Sequence, residues 1–406
     1  MWKNKTIILG VTGGIAAYKA ISLCSRLTQS GADVRVIMTK SATAFVQPLS
    51  FQAISRSRVY VDVMQEDEPH LISHIDLADR ADLIVVAPAT ANFIGKYAHG
   101  IADDMLTTTL LAATAPVMIA PAMNVHMLQH PAVRHNLSIL KERGVHIIQP
   151  GVGQLACGYV GEGRLAEPED IAAQIEAFFM RQNARPLFAG KSMLVTAGGT
   201  RERIDPVRYI TNDSSGKMGH AIAEAGAAMG AKVTLVTASS LEPPAGVEVI
   251  RAETAEQMRE EVIKRHSSMD VIVKAAAVSD YRPLHAADHK IKKKEEIWTL
   301  QLTRTPDILA EIGRSKLPGQ FVIGFAAETE QMEHYAMKKL KEKNLDLIVA
   351  NNVAQEGAGF NADTNICAVY DQDGLTASLP LMSKREAARR ILEIAAEKMG
   401  LAGSEH

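Results

Sequence analysis

One pattern occurs twice in the sequence, and it constrains the fold more than any other feature. An apolar run ends in two glycines, a helical stretch follows, and Gly-Ala then opens a second apolar run, as in KTIILGVTGG at 5–14 and GADVRVIMT at 31–39. The same features return as KSMLVTAGGT at 191–200 and GAKVTLVTA at 230–238. Short β-branched runs that alternate with helical stretches are typical of parallel sheets with crossover helices. Because the similarity occurs once and at domain scale, it predicts two related α/β domains rather than a solenoid.

The chain is long enough for two domains, and a short polar stretch separates them. Its 406 residues have material for two or three domains. The stretch RQNARPLFAG at 181–190 carries a proline between the last helical pattern of the first half and the first strand of the second. We predict two tandem three-layer domains with parallel, Rossmann-like sheets, at residues 1–185 and 186–406. The segment Tyr281–Thr305 interrupts the alternation with a basic run and a strand-like run, which predicts an extra β arm in the second domain.

The overall composition argues against several classes of protein. The formal net charge is −2, which gives no reason to expect a nucleic acid or a membrane as partner. The cysteines Cys24, Cys157 and Cys367 are far apart and form no CxxC pair, which argues against a disulfide framework or a cysteine metal site. The apolar run Thr6–Val11 is too short for a signal peptide or a membrane span. We therefore expect a cytoplasmic protein in a reducing compartment.

Gly13 and Gly14 end the first predicted strand and open a helix. Glycine lets the backbone approach a phosphate, and a helix N-terminus offers free N–H groups. The G-x-G-x-x-G spacing of dinucleotide sites is absent, because Gly10 lies three residues before Gly13. The second strand ends in Met38-Thr39-Lys40, without a carboxylate for a ribose. The pattern favours a mononucleotide phosphate over NAD, although a tight turn that packs helix on strand would also explain the glycines.

Polar side chains follow the next two strands of the first half. Thr90 and Asn92 come after the run Leu83–Ala87, and Asn124 comes after the run Pro116–Ala120. Such groups can reach a ligand at the carboxyl edge of a parallel sheet. An asparagine that only caps a helix would look the same in the sequence.

Two further residues are candidates for chemistry. His74 lies at the start of a helical stretch, where a structural or solvated histidine is the more common case. Cys157 lies in the glycine-rich stretch Gly151–Pro168, predicted to be a loop. Most isolated cysteines are inert core residues, but a glycine-flanked loop can close over a site and bring its cysteine to the chemistry.

Five motifs cover Lys5–Phe179 and read GVTGGIAAYK, SHIDLADRAD, APATANFIGKYAHGIADD, PAMNVHM and ACGYVGEGRLAEP. Together they resemble the flavin-containing cysteine decarboxylases, and among these the phosphopantothenoylcysteine decarboxylase domain. The resemblance implies a flavodoxin-like domain in a trimer-based assembly, with the flavin at a subunit interface. It also implies that FMN is bound by Gly13, Gly14, Thr39, Thr90 and Asn92.

The implied reaction explains which side chains such a domain needs. Direct loss of CO₂ from an aliphatic carboxylate beside an amide nitrogen would leave a carbanion without an electron sink. Oxidation of the substrate thiol to a thioaldehyde, with hydride transfer to FMN, supplies that sink, and the resulting enethiolate must then be protonated and reduced. By resemblance, His74 serves the oxidation and decarboxylation, Asn124 holds the substrate carboxylate, and Cys157 donates the last proton. A thiol with an ordinary pKa of ~8.5 still carries that proton at neutral pH.

The second half repeats the strand-to-helix turn, but its sequence does not fit a P-loop. Met218 replaces the Ser or Thr of that motif, and Thr211 stands in place of its first glycine. Ser214, Ser215 and Gly216 remain as an anion cradle at a helix N-terminus. A capped helix after a polar loop would explain these three residues as well.

Further polar residues of the second half follow strands or share a helix face. Asp280, in KAAAVSDYRP at 274–283, ends a strand where a base or ribose could press against small side chains. Lys290 opens the basic run of the irregular segment, and Lys339 and Lys343 are spaced i, i+4 on one helix. Lysines in such positions also occur on ordinary solvated surfaces.

Six motifs cover about Gly190–Met399 and read DPVRYITNDSSGKMG, KAAAVSDYRP, HKIKK, TPDIL, GFAAET and GFNADTN. Together they resemble the phosphopantothenate–cysteine ligase domain, which follows the decarboxylase in the two-domain bacterial form. The resemblance implies that CTP activates the carboxylate of phosphopantothenate as an acyl-cytidylate, with Mg²⁺ or Mn²⁺ held mainly by the triphosphate, before the cysteine amine attacks. By resemblance Arg208 and Asn212 contact the acyl-nucleotide intermediate or its substrate, and Lys290 contacts substrate and serves amide formation. The implied nucleotide contacts are Ala275, Ala276, Asp280, Pro306, Asp307, Ile308, Leu309, Phe325, Lys339 and Lys343.

The two resemblances together imply a bifunctional enzyme of coenzyme A synthesis. The ligase would join 4′-phosphopantothenate to L-cysteine with CTP, and the decarboxylase would convert the product to 4′-phosphopantetheine and CO₂. They also imply a homo-oligomer, with trimeric contacts through the first domain and dimeric contacts through the second, as in a dodecamer. The choice of CTP over ATP rests on the resemblance alone.

Three other functions are compatible with parts of the sequence. A flavin-binding regulatory protein without decarboxylase activity should lack His74 or Cys157, and both are present. An NAD-linked oxidoreductase is disfavoured by the missing glycine fingerprint and acidic residue. A flavin prenyl-transfer relative would leave the second domain unexplained.

Overall fold

Two separate sheets organise the chain, one in each of two units, Met1–Phe179 and Met180–His406. The structure, a computed structural model, describes residues 2, 5–65, 71–154, 158–182, 184–292, 298–328, 332–352, 359 and 361–401. The division between the units lies near the predicted one after residue 185, and that boundary stays a prediction. No helix among the described residues is long and apolar enough to cross a membrane.

The first unit alternates strands and helices along most of its length. Its strands are β1 (Thr6–Val11), β2 (Asp33–Met38), β3 (Val59–Tyr60), β4 (Leu83–Ala89), β5 (Val117–Pro121), β6 (His146–Ile147), β7 (Gly151–Gln154) and β8 (Val160–Arg164). Its helices are α1 (Ala17–Gln29), α2 (Pro48–Ser55), α3 (Ser73–Arg80), α4 (Ala91–His99), α5 (Met105–Ala112), α6 (Val125–Gln129), α7 (Pro131–Glu142) and α8 (Pro168–Gln182), with a 3₁₀ turn at Ala42–Ala44.

The main sheet of the first unit has the order β3-β2-β1-β4-β5-β6, and all neighbouring strands are parallel. The strands β2-β1-β4-β5-β6 follow the flavodoxin order, and the short β3 extends the β2 edge. Successive residues of β1 are buried on opposite faces: Leu9 packs in the cluster that includes α1, α2 and α8, and Ile8 packs in the cluster that includes α3, α4, α5 and α7. Strands buried on both faces explain the continuous apolar runs. The predicted flavodoxin-like, three-layer architecture is confirmed.

The second unit begins with the same strand–helix–strand pattern and ends differently. Its strands are β9 (Ser192–Ala197), β10 (Arg201–Arg203), β11 (Tyr209–Thr211), β12 (Lys232–Thr237), β13 (Glu248–Arg251), β14 (Val271–Lys274), β15 (Tyr281–Pro283), β16 (Leu302–Arg304), β17 (Phe321–Glu328), β18 (Leu347–Asn352), β19 (Thr364–Asp371) and β20 (Gly374–Ser383). Its helices are α9 (Lys217–Ala228), α10 (Ala255–His266), α11 (Ile308–Arg314), α12 (Met332–Glu342) and α13 (Lys384–Lys398).

The large sheet of the second unit has the order β13-β12-β9-β14-β17-β18-β19-β20. The strands from β13 to β18 are parallel, whereas β19 and β20 add an antiparallel edge that was not predicted. Helices α9 and α13 cover one face, and α10, α11 and α12 cover the other. The predicted extra β arm is present, because β15 pairs with β16 outside the large sheet, as β10 does with β11.

The glycine-rich stretch Gly151–Pro168, predicted to be a loop, contains the antiparallel hairpin β7–β8. The hairpin packs on the segment before α6, where the Met123 N–H donates to the Gly163 carbonyl oxygen at 3.0 Å. Gly163 has a φ of 134°, and a Cβ there would lie 2.3 Å from the Met123 oxygen. Glycine is therefore required at this contact. Cys157 falls between β7 and β8 in the sequence and is outside the described residues.

Helix α11 packs against the end of α12 through Gly313. The Asn344 side-chain amide donates to the Gly313 carbonyl oxygen at 3.0 Å. A Cβ on Gly313 would lie 1.9 Å from the carbonyl oxygen of Lys343. The absence of a side chain thus sets the distance between the two helices.

Replacing Gly313 by Ala should lower the free energy of unfolding by roughly 1–3 kcal/mol, because the added methyl must separate α11 from α12. The expected sign is opposite to helix propensity, which favours Ala over Gly by ~1 kcal/mol. Urea unfolding followed by circular dichroism measures the change. Gly95→Ala is the matched control, since Gly95 lies inside α4 and its Cβ would meet nothing closer than Asn136 at 3.6 Å. A Gly313→Ala protein as stable as its parent would contradict the close contact.

Candidate functional site

The turn between β1 and α1 forms a cradle that requires glycine at one position. A Cβ on Gly13 would lie 2.4 Å from the Cβ of Ser41, whereas a Cβ on Gly14 would lie 3.8 Å from Thr90. Thr39 stands beside this turn, because its N–H donates to the Val11 carbonyl oxygen at 3.0 Å. Thr39 and Thr90 therefore flank the turn from the two neighbouring strands, and we call Gly13, Gly14, Thr39 and Thr90 the β1–α1 cradle.

The hydroxyl groups of the β1–α1 cradle differ in what they can still bind. Thr12 has no proton left to donate to a ligand, because its hydroxyl donates to the Pro88 oxygen at 2.7 Å; it also accepts from the Thr90 N–H at 3.1 Å. The hydroxyls of Thr39 and Thr90 only accept, from the N–H groups of Ala42 and Phe93. Among the described residues neither donates its proton. Helix α1 also begins without a side-chain cap. An anion in the cradle would thus meet two hydroxyl donors and a helix N-terminus.

The other residues predicted for the first site lie at separate points. Asn92 is exposed in the first turn of α4. His74 is half-buried in the first turn of α3, and its Nδ1 is buried without a hydrogen-bond partner among the described residues. A buried polar atom without a partner is unfavourable, and a ligand could satisfy it.

Asn124 lies next to the hairpin β7–β8. Its side-chain oxygen accepts from the His126 N–H at 2.8 Å and caps α6. The preceding residue, Met123, is the one bonded to Gly163 of β8. The hairpin is further held by Gly161, whose Cβ would lie 3.0 Å from a methyl of Val125. The fold thus brings Asn124 close to the hairpin β7–β8.

The described cysteines are core residues. Cys24 and Cys367 are free thiols and are buried. Burial raises the pKa of Cys24 to about 11 and that of Cys367 to about 12. Neither thiol is therefore available as a thiolate at neutral pH.

In the second unit a cavity of about 140 Å³ opens at the carboxyl ends of β14 and β17. We call it the lysine cavity. Its lining residues are Lys274, Ala276, Val278, Asp280, Thr305, Pro306, Asp307, Ile308, Leu309, Phe325, Lys339 and Lys343. Most of the residues predicted to contact a nucleotide therefore share one cavity, although Ala275 is not among its lining residues.

Asp307 organises one side of the lysine cavity. Its carboxylate caps α11 by accepting from the Ala310 N–H at 3.0 Å, and it pairs with Lys343 at 2.7 Å. Burial by itself would raise the pKa of Asp307, but the hydrogen bonds from Lys343 and from the Ala310 N–H hold it below its usual range. Lys339 lies one turn before Lys343 and donates to the Phe325 carbonyl oxygen at 3.4 Å. On this side of the cavity two ammonium groups thus face the single carboxylate of Asp307.

Lys274 is a buried lysine at the end of β14. Its ammonium group donates to the Ala276 carbonyl oxygen at 3.2 Å. Burial lowers its pKa from 10.5 to about 7, and the positive charges of Lys339 and Lys343 act in the same direction while Asp307 opposes them. A lysine so placed takes up or releases a proton near neutral pH, so its charge responds to what binds beside it.

Asn212 reaches the edge of the lysine cavity through a second close backbone contact. Its side-chain amide donates to the carbonyl oxygen of Val278, a lining residue, at 3.3 Å. A Cβ on Gly199 would lie 2.5 Å from the Asn212 carbonyl oxygen. The double glycine of the second unit thus admits the loop that carries Asn212, as Gly13 admits the Ser41 loop in the first unit.

Arg208 and Lys290, predicted to contact substrate, meet at a different place. The Arg208 guanidinium pairs with Asp205 and donates to the Ile291 carbonyl oxygen at 2.7 Å. Lys290, the residue before Ile291, is exposed. Neither Arg208 nor Lys290 is among the lining residues of the lysine cavity.

Sequence analysis missed three lining residues and one buried carboxylate. Lys274 carried a signal, since a lysine interrupts the apolar run VIVKAAAV. Val278 and Thr305 carried none, because they look like ordinary strand-end residues. Asp205 opens the motif DPVRYITNDSSGKMG, and nothing in that motif indicated that its carboxylate is buried. In the parts of the chain that the structure describes, no three His, Cys, Asp or Glu side chains converge to hold a metal ion.

Comparison with protein families separates the same two parts of the chain. Residues 1–180 match the family described as Flavoprotein. Residues 188–399 match the family described as DNA/pantothenate metabolism flavoprotein C-terminal domain.

Individual relatives match over nearly the whole length. The chain is 56% identical over 399 residues to the coenzyme A biosynthesis bifunctional protein CoaBC of Bacillus subtilis (strain 168), covering 98% of each. It is 45% identical over 400 residues to the protein of the same name from Vibrio vulnificus (strain YJ016), again covering 98% of each. A crystal structure of the C-terminal domain of such a protein is 44% identical, with a TM-score of 0.46, and covers 53% of this chain and 98% of that one.

Replacing Lys274 by Met should change how stability depends on pH. The pKa of Lys274 is about 7 in the folded protein and 10.5 when unperturbed. Between these two pH values unfolding takes up a proton, so the free energy of unfolding of the parent rises with pH in this window. The variant lacks this gain. Its free energy of unfolding should exceed that of the parent at neutral pH, and the difference should shrink by up to ~1.4 kcal/mol per pH unit above it.

Urea unfolding of the full chain at several pH values tests this expectation. Ile272→Val, in the same strand, carries no titrating group, so its difference from the parent should not vary with pH. A difference for Lys274→Met that is also constant with pH would contradict the perturbed lysine.

Proposed function

The chain belongs to the family of bifunctional coenzyme A biosynthesis proteins, and from that premise we propose that FMN binds in the β1–α1 cradle and CTP in the lysine cavity. The chain is a phosphopantothenoylcysteine decarboxylase and a phosphopantothenate–cysteine ligase. A flavin-binding regulatory protein without decarboxylase activity is not favoured, because the relatives match through both domains.

The chemistry of the β1–α1 cradle supports FMN in the first unit. A mononucleotide has a single phosphate, and the cradle offers it two hydroxyl donors and an uncapped helix N-terminus. Gly14 leaves room for the phosphate to approach the backbone. This set of donors is the observation that carries the proposal. Bound FMN would supply a hydride acceptor for the substrate thiol and later a hydride donor.

The remaining groups of the first unit suit the proton and substrate handling that this reaction needs. The Nδ1 of His74 is buried without a hydrogen-bond partner in the described part of the chain, which supports a role in which the imidazole exchanges a proton with substrate. Asn124 is proposed to bind the substrate carboxylate. The hairpin beside it would bring Cys157, the proposed donor of the last proton, to the same substrate.

Exposed apolar side chains near the β1–α1 cradle support a homo-oligomer with the flavin at a subunit interface. Ile15 and Tyr18 follow the glycines and are 63% and 57% exposed, and Leu49, in the helix after Thr39, is 70% exposed. A cluster of this kind favours coverage by another copy of the chain. The dimeric contacts of the second domain and the dodecamer are further proposals, as is the cytoplasm as location, which the free thiols Cys24 and Cys367 suit.

Substitutions of the two glycines should separate the fold from flavin binding. Gly13→Ala should lower stability and flavin content together, because its methyl would clash with Ser41. Gly14→Ala should keep the stability of the parent, since the methyl meets only an ordinary contact, but should weaken FMN binding by at least about tenfold, or ~1.4 kcal/mol.

Flavin absorbance of the purified proteins and titration of the apoproteins with FMN measure these effects. The Gly14→Ala result decides the proposal, because its methyl would obstruct a bound ligand, whereas the methyl of Gly13→Ala would clash with the protein itself. FMN affinity unchanged in Gly14→Ala, or a parent that binds no FMN, would contradict it.

The charge of the lysine cavity supports a nucleotide triphosphate in the second unit. Lys274, Lys339 and Lys343 outnumber the two carboxylates, Asp280 and Asp307, that line the cavity with them. Small side chains such as Ala276 leave room for a base or ribose at the end of β14. Mg²⁺ or Mn²⁺ would be held mainly by the phosphates, in line with the few carboxylates at the site.

The ligase reaction needs activation because a carboxylate oxygen is a poor leaving group. A bound acyl-cytidylate of phosphopantothenate would present a good one, and the amine of L-cysteine would displace it. Asn212, fixed at the edge of the lysine cavity, is proposed to contact this intermediate. Lys290 is proposed to serve the second half, amide formation.

Replacing Lys343 by Met should raise the Kd of CTP by about 10- to 100-fold, because the cavity loses a charged donor and Asp307 loses its partner. Lys338→Met, in the helix α12 that ends one residue before Lys343, is the matched control, since Lys338 is exposed and pairs weakly with Glu342 at 3.9 Å. Calorimetric titration with CTP and with ATP, together with pyrophosphate release, measures both the site and the nucleotide preference. Parent-like CTP binding by Lys343→Met, or equal use of ATP, would contradict the proposal.

A further inference from the structure

A buried carboxylate, Asp205, is bonded to the segment that carries Lys290, and no role has been given to it. Asp205 is 1% exposed. It lies in the loop between β10 and β11, whereas Lys290 and Ile291 lie between β15 and β16, more than eighty residues further along the chain. The contact between the two loops is therefore made by the tertiary fold.

The carboxylate oxygens of Asp205 are occupied by donors from both loops. One oxygen accepts from the N–H groups of Val207 and Arg208, each at 2.8 Å. The other accepts from the Arg208 guanidinium at 2.6 and 3.0 Å and from the Ile291 N–H at 3.1 Å. The hydrogen bonds from Arg208 hold the pKa of Asp205 well below its usual range, and those from the N–H groups act in the same direction. The group is thus a carboxylate at neutral pH.

Arg208 completes the contact from the other side of the peptide. Its Nη2 donates to the Ile291 carbonyl oxygen at 2.7 Å, so the N–H and the C=O of Ile291 are both held, one by Asp205 and one by Arg208. The guanidinium also lies 5.0 Å from the centre of the Trp298 ring. Because Nε and Nη2 are occupied, any contact of Arg208 with an acyl-nucleotide falls to Nη1.

Fixing Ile291 restricts Lys290, because consecutive Cα atoms of a trans chain are about 3.8 Å apart. Lys290 itself is exposed, and a lysine side chain has many rotamers. Without an anchor the ammonium group would be spread over a large volume. The buried carboxylate of Asp205 holds this loop in one position. If the loop moved away, the carboxylate would lose a hydrogen bond and remain buried without full compensation of its charge, which is unfavourable.

We propose that Asp205 is a positioning residue for amide formation: through Ile291 and Arg208 it holds the segment that presents Lys290 to the activated carboxylate. The proposal rests on the role proposed above for Lys290. It also assigns Arg208 a second task, as the bridge between Asp205 and the Lys290 segment.

Asp205→Asn tests the proposal, because it keeps the shape of the side chain and removes the charge that binds Arg208. Pyrophosphate release from CTP and phosphopantothenate, and the KM for CTP, should stay near those of the parent. Transfer to cysteine should fall by at least about tenfold, so that acyl-cytidylate accumulates as it should in Lys290→Gln. Asp213→Asn, an exposed aspartate of the neighbouring loop, is the matched control and should behave as the parent.

A second readout follows the position of the segment itself. The chain has two tryptophans, and Trp2 can be replaced by Phe so that Trp298 alone reports. In the full-length protein, acrylamide quenching of Trp298 should increase in Asp205→Asn, because the guanidinium is no longer held over the ring. If Asp205→Asn folds poorly, Arg208→Lys replaces it: it keeps the positive charge but cannot bridge Asp205 and Ile291, and it should show both effects.

The outcomes separate this inference from the proposed function. Increased quenching with normal transfer to cysteine would overturn the positioning role and leave the ligase proposal intact. Loss of pyrophosphate release in Asp205→Asn with parent-like quenching would overturn it as well, by placing Asp205 in activation. A Lys290→Gln protein that accumulates no acyl-cytidylate would overturn the role of Lys290, and with it this inference.

Discussion

Both sites depend on one constraint, the close approach of backbone segments at the carboxyl ends of parallel strands. A Cβ on Gly13 would lie 2.4 Å from Ser41, and a Cβ on Gly199 would lie 2.5 Å from the Asn212 oxygen. Loops from several strands converge at this edge of a sheet, so any added side chain moves one loop away from another. In the first unit the approach sets two threonine hydroxyls beside a helix N-terminus, and in the second it sets Asn212 beside the lysine cavity.

Charge then distinguishes the two units. The first has an almost neutral cradle of hydroxyls and N–H groups, which suits one phosphate. The second gathers three lysines around Asp307. Burial lowers the pKa of Lys274 to about 7, and a polyanion bound beside it would favour the charged form of this lysine. Asp205 is the opposite case, a buried carboxylate surrounded by donors. The charge of Asp205 is tolerated away from water because its donors compensate it, whereas the charge of Lys274 is disfavoured by burial and by the two neighbouring lysines.

The sequence did not indicate the structure of segments whose conformation depends on residues far away along the chain. The stretch Gly151–Pro168 has too many glycines to look like strands, yet β7 and β8 form there because Met123 bonds to Gly163 and fixes the hairpin against α6. The antiparallel edge of β19 and β20 was not predicted either, since pairing across a sheet edge leaves little trace in the periodicity of either strand. The contact of Arg208 with the acyl-nucleotide stays a prediction; what the sequence did not indicate is that its Nε and Nη2 bind Asp205 and Ile291.

By itself the sequence determined the two α/β units, the first strand at Thr6–Val11 and the residue types at the strand ends, because periodicity and glycine placement are local properties. The resemblance of its motifs to known domains supplied the chemistry. Only the tertiary structure decided which of those residues meet: it set Lys274 beside Lys339 and Lys343, and it bonded Asp205 to a loop more than eighty residues away. Such contacts depend on how strands and helices from distant parts of the chain pack against one another. That packing is not encoded in any one segment of the chain.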